Sequence, residues 1–113
     1  MGDLIEEKVK YTRLFDFYGD LLKPQLREMF SDYFMNDLSL SEVAESSGIS
    51  RQAVHEALKR CEKKLDEYEE ALHLSDRYFY IADRLERIKD LSDNDKNGTE
   101  IRKITEEILL NGF

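Results

Sequence analysis

Residues 38–60 read LSLSEVAESSGISRQAVHEALKR, and the reading of this stretch decides the fold. Ser39 can cap a helix, and Glu42, three residues on, completes a capping box. The helix that follows is short, with Val43 and Ala44 facing inward. Gly48 supplies a turn that needs positive φ. Ser50 caps a second helix, which Ile49, Val54 and Leu58 pin onto the first. Ala44 is small because the second helix crosses close to it. The spacing A-x3-G-I-S-x3-V therefore predicts a helix-turn-helix. The outer face of the second helix presents Ser50, Arg51, Gln52, His55, Glu56 and Lys59, the positions that enter the major groove in a DNA reader. Arg51 suits guanine, Gln52 adenine and Glu56 cytosine, while Lys59, Arg60, Lys63 and Lys64 suit phosphates.

The second helix continues beyond the motif. Val54, Leu58, Cys61, Leu65, Tyr68 and Leu72 follow steps of four, three, four, three and four, a heptad seam that reaches His73. Upstream, the pattern predicts a helix over 4–18 with Ile5, Val9, Phe15 and Tyr18 on one face, widened by Tyr11, Leu14 and Leu22. Gly19 and Asp20 weaken it, and Pro24 can open the next helix in its first turn. That helix carries Leu26, Phe30, Tyr33 and Phe34 and ends at Asn36-Asp37. Downstream, Ser75-Asp76 starts a helix with Tyr78, Ile81, Leu85 and Ile88. SDNDKNGT is a polar loop, and Thr99 caps a last helix with Ile101, Ile104 and Ile108. With one Pro and five Gly in the chain, long helices are favoured. The expectation is an all-α fold: a helix-turn-helix domain over 1–74 with its motif at about 39–60, and a helical extension over 75–113 that serves oligomerisation. No repeat or dividing linker is visible, so the two are expected to form one structural unit.

Charge complicates the function. The chain of 113 residues carries a net charge of −8. Over residues 50–65 five Lys or Arg stand against two Glu, a balance of +3, so the remaining residues carry −11. Basic charge is concentrated on the reading helix, as a nucleic-acid binder needs. The surrounding acid opposes the phosphate attraction that dominates affinity.

Other chemistries find little support. The single Cys excludes an intramolecular disulfide and a thiolate metal cluster. Cys61 lies on the apolar seam and reads as a small core residue. His55 and His73 are too far apart to share a metal. The run DNDKNG, 93–98, has the opening spacing of a calcium loop, but Ile104 stands where the bidentate Glu belongs. No phosphate loop, triad or paired carboxylate is present, so neither an enzyme nor a cofactor or metal is expected. No apolar run has membrane-spanning length, and MGDLIEEKVK has no signal core. Glu6 argues against myristoylation, which calls for Ser or Thr there. A cytoplasmic protein is expected.

The segment DLSLSEVAESSGISRQAVHEALKRCEKKLDEYEEALHL, 37–74, with YTRLFDFYGDLLKPQLREMFSDYFMNDLS before it, closely resembles the YlxM family of small bacterial proteins. The resemblance is specific at LSLSEVAE, GISRQAV and YEE. It implies a fold like the promoter-reading domain of sigma factors, with extra C-terminal helices. It also implies a link to the signal recognition particle, because genes of the family tend to lie beside that of the particle's GTPase. By the same resemblance the reading positions are Arg51, Gln52, His55 and Lys59. The chain departs from the family at Lys23, where a Thr cap is more usual, which bears on the start of the second predicted helix.

Three functions compete: a DNA-binding regulator, an accessory factor binding the particle's RNA or its GTPase, and an oligomeric interaction module that does not bind nucleic acid. The expectation is a nucleic-acid-binding helix-turn-helix protein linked to that particle. Its alternative is an interaction module or GTPase-binding factor. A homodimer is expected through Leu65, Tyr68, Leu72, Tyr78, Ile81, Leu85 and Ile88.

Overall fold

The computed structural model describes residues 2–92 and 98–111. Among them are six α-helices and no strand: α1 (Gly2–Tyr18), α2 (Pro24–Phe30), α3 (Leu40–Ser47), α4 (Arg51–Leu72), α5 (Leu74–Leu91) and α6 (Gly98–Asn111). The chain is all-α and contains the expected helix-turn-helix. It divides into two compact units, Met1–His73 and Leu74–Phe113.

In the first unit α1, α2 and α3 each pack against α4. The turn between α3 and α4 is built from local signals. Ser39 Oγ accepts from Glu42 N at 3.1 Å, and Glu42 Oε1 accepts from Ser39 N at 3.1 Å, so both halves of the capping box form. Gly48 adopts φ 71°, ψ 27° and closes α3, with the Gly48 and Ile49 amides both donating to the Ala44 carbonyl. Ser50 Oγ then accepts from Ala53 N at 3.0 Å and opens α4. Val43, Val54, Cys61 and Leu65 have no exposed surface.

Aromatic rings fill the space between α1 and α2. Phe15, Phe30 and Phe34 form a stack with centroid spacings of 4.6 and 4.3 Å. α2 has no side-chain cap at Lys23 and opens on Pro24 instead, whose missing N–H makes that end tolerable. It passes into a π-helical turn, Ser31–Met35, closed by Asn36 N donating to Ser31 O, five residues back. Asp37 follows at φ 56°.

Several expectations are corrected. Ile5 and Val9 are exposed, while Tyr11, Leu14, Tyr18 and Leu22 form the inner face of this segment. The cause is polar: buried phenols need acceptors. The Tyr11 hydroxyl donates to Asp66 Oδ2 at 2.8 Å and that of Tyr18 to Glu69 Oε1 at 2.6 Å, which fixes the rotation of α1. Ile49 is 40% exposed and lies outside the buried core, to which α3 contributes Val43 and Ala44. The seam of α4 runs out after Tyr68, since Leu72 is 46% exposed. Leu65, expected between subunits, belongs to the core of the first unit and has no surface left for a partner.

The second unit is a hairpin of α5 and α6. α5 begins at Leu74, directly after His73, whose left-handed backbone (φ 55°) ends α4. α6 begins at Gly98, ahead of the expected Thr99 cap. A Cβ at Gly98 would collide with the Ser92 carbonyl, so only glycine fits there. Of the calcium-loop reading, residues 93–97 lie outside the described residues.

Two predictions follow from this packing. Nothing lies within 4 Å of a Cβ built on Gly48, so strain alone opposes substitution there. Gly48→Ala should cost about 1 kcal/mol in urea unfolding, and Gly48→Asn, which tolerates left-handed φ, distinctly less. Equal losses would contradict a purely conformational role. The Cys61 thiol is fully buried, lies 3.6 Å from the Leu26 carbonyl, and is pushed up to about 11 chiefly by burial. At pH 8 the folded chain should resist iodoacetamide while the urea-unfolded chain reacts; equal rates would place Cys61 outside the core.

Candidate nucleic-acid interface

The burial of one stripe of α4 determines which side chains remain outside. Ser50, Arg51, Gln52, His55, Glu56, Lys59, Arg60 and Lys63 are exposed at the start and over the first four turns of the helix, and Lys64 is half-buried. The expected contact residues therefore stand together on one helix, except that Lys64 lies nearer the core boundary. Two of them are already engaged. Gln52 Nε2 donates to Glu56 Oε1 at 3.3 Å, and Lys59 Nζ pairs with Glu62 Oε2 at 3.3 Å. Arg51, Arg60 and Lys63 form no ion pair among the described residues, and theirs is the charge most available to an anion.

The second half of α4 has the opposite sign, with Asp66, Glu67, Glu69 and Glu70. Two of these carboxylates are turned to structural use. Asp66 holds both the Tyr11 hydroxyl and Lys10 Nζ (3.1 Å), and Glu69 holds Tyr18. Burial, and next the hydrogen bond to the Asp66 carboxylate, raise the Tyr11 phenol above its usual range, so it stays a neutral donor. α4 thus presents cations over its first turns and carboxylates over its last.

A half-open groove of about 500 Å³ borders the basic half. Its apolar floor includes Tyr33, Phe34, Leu40 and Leu58, and its rim includes His55 and Lys59 from α4 with Glu7 and Lys8 from α1. Lys8 Nζ reaches Asp37 Oδ1 at 2.6 Å across the end of this groove. That pair holds the Asp37 carboxyl below its usual range, so the clamp contributes above the ordinary Asp pKa and is lost as pH falls through the lowered value. Sequence reasoning missed this element, because it joins residues 29 apart. The Lys59–Glu62 pair was legible from its i,i+3 spacing.

Among the described residues no helix is long and apolar enough to cross a membrane. Residues 5–107 match the family described as "Putative helix-turn-helix protein, YlxM / p13 like". The chain is similar to a UPF0122 protein of Thermoanaerobacter sp. (strain X514), 44% identical over 100 residues covering 86% of each chain. It is 37% identical over 110 residues to a UPF0122 protein of Clostridium kluyveri, covering 95% of this chain and 99% of the relative. A UPF0122 protein of Halalkalibacterium halodurans is 34% identical over 105 residues, with 93% and 96% covered. None of these names states a ligand or a reaction. With the family match spanning most of the chain and both caps of the motif formed, the chain belongs to the UPF0122 family of YlxM-like helix-turn-helix proteins.

Proposed function

We propose that the chain is a regulatory protein without catalysis of its own, which binds nucleic acid through the first half of α4. The observation that carries this reading is the exposed cluster of Arg51, Gln52, His55, Lys59, Arg60 and Lys63 on a helix whose rotation the core fixes. Lys64, half-buried, reaches phosphate from the margin, and Ser50 adds a hydroxyl at the helix start. The acidic second half of α4 repels phosphate and confines the footprint to the leading turns. The resemblance to YlxM proteins makes the RNA of the signal recognition particle the first nucleic acid to test, ahead of duplex DNA. It also makes the particle's GTPase the first protein to test, and a role there would place the chain in the cytoplasm. The −11 carried outside the basic segment favours a second reading, an interaction module that binds the GTPase and no nucleic acid.

Substitutions on α4 test the nucleic-acid reading. Arg51→Ala with Lys59→Ala should weaken binding by about 1–3 kcal/mol per lost base contact, while Lys63→Ala should mainly lower the salt slope by about one. Unchanged affinity in the folded double variant would defeat the proposal. Glu62→Gln releases Lys59 and should tighten binding about twofold to fivefold, the range of an exposed ion pair; weaker binding would mean that Glu62 itself orients the contact. Fluorescence anisotropy at fixed salt reads all of these changes.

A further inference from the structure

The hairpin of α5 and α6 has one apolar side and one charged side. The helices run antiparallel, since Ser92 abuts Gly98 across the turn and Lys89 pairs with Glu106 at 3.5 Å. Their shared seam includes the half-buried Tyr78 and Leu85 of α5 and the buried Thr105 of α6. At 3.6 residues per turn, Ile81 and Ile88 lie about a sixth of a turn to one side of that seam. Ile104 and Ile108 of α6 are offset in the same rotational sense, which in an antiparallel pair brings them to the same side of the hairpin. All four are exposed in the single chain, at 39%, 46%, 50% and 37%. The opposite side carries Asp83, Glu86 and Asp90 of α5 and Lys103 of α6.

The outer margins of the apolar side have opposite signs. Arg77 and Arg84 line it on α5, and Glu100 and Glu107 on α6, each pair seven residues apart. Arg77, Glu100 and Glu107 make no ion pair among the described residues, and Arg84 rests over the Tyr80 ring at 4.9 Å.

We infer that a second copy of the chain covers this face, forming a four-helix bundle. Two two-fold arrangements press such faces together. With the axis across the helices, α5 meets α5 and the arginine margins oppose each other. With the axis along the helices, α5 of one copy lies over α6 of the other, and the arginine margin meets the glutamate margin. Both make all neighbouring helices antiparallel, and charge selects the second. Glu107 lies nine residues after Gly98 and Arg84 eight before Ser92, so they are level along the hairpin. Arg84 of one copy therefore meets the partner's Glu107. The interface uses Ile81 and Ile88 from the expected set and adds Ile104 and Ile108.

Light scattering and sedimentation on the full chain test this at tens of micromolar. A dimer mass is expected. Arg84→Glu and Glu107→Arg should each raise the dimer dissociation constant about tenfold, with the double variant R84E/E107R restoring it. Ile81→Glu with Ile104→Glu should yield a monomer of native helix content; should that variant unfold, the charge exchange decides alone. A wild-type monomer overturns the inference, and so does a dimer indifferent to both single charge reversals.

Discussion

Val54, Ala57, Leu58, Cys61 and Leu65 lie along one stripe of α4 with 0–4% of their surface exposed, and the first unit is arranged to cover that stripe. Each of the larger side chains contributes on the order of 1.5–3 kcal/mol by leaving water. A rotation of α4 by a single residue, about 100°, would expose Val54 and turn charged neighbours inward. The core thus determines the surface: once the stripe is buried, Arg51, Gln52, His55, Lys59 and Lys63 are left outside. α1 adds a polar lock, because the phenols of Tyr11 and Tyr18 reach the inner face only where Asp66 and Glu69 accept their hydrogen bonds.

The same lock bears on electrostatics. A chain with net charge −8 can meet a polyanion only if its acid is kept away from the contact. α4 does this along its own axis, with a balance of +3 over residues 50–65 and the carboxylates of Asp66, Glu67, Glu69 and Glu70 beyond. Asp66 and Glu69 face α1, where they serve the fold. On the basic stretch, Glu56 and Glu62 brace Gln52 and Lys59. Binding would exchange these internal partners for external ones, which favours selectivity over bare strength.

How much of this was legible in the sequence depended on the range of the interaction. The capping box at Ser39, the positive φ of Gly48 and the Ser50 cap are set by residues three or four apart, and each formed as its spacing required. The burial of Val54, Leu58 and Cys61 was legible as well, because a heptad is a local pattern. The inner face of α1 was not. Ile5 and Val9 satisfy a helical period as well as Tyr11 and Leu14 do, and the choice rests on acceptors 51 and 55 residues away. The same distance hid the Lys8–Asp37 clamp and the groove behind it. Leu65 was misplaced because a seam written along one helix does not show where its covering helices end. The exposed isoleucines of α5 and α6 were visible, but their common side became evident only once the hairpin was seen to be antiparallel.

The central claim is that the basic half of α4 meets phosphate directly. The most direct test is the affinity of the full chain for the particle RNA and for random duplex DNA, measured from low to physiological salt. A logarithmic slope of about −2 to −4 is predicted for the bound species, as several of the five basic residues between 50 and 65 displace counterions. Binding that is flat in salt, or no binding to either nucleic acid at low salt, would contradict it.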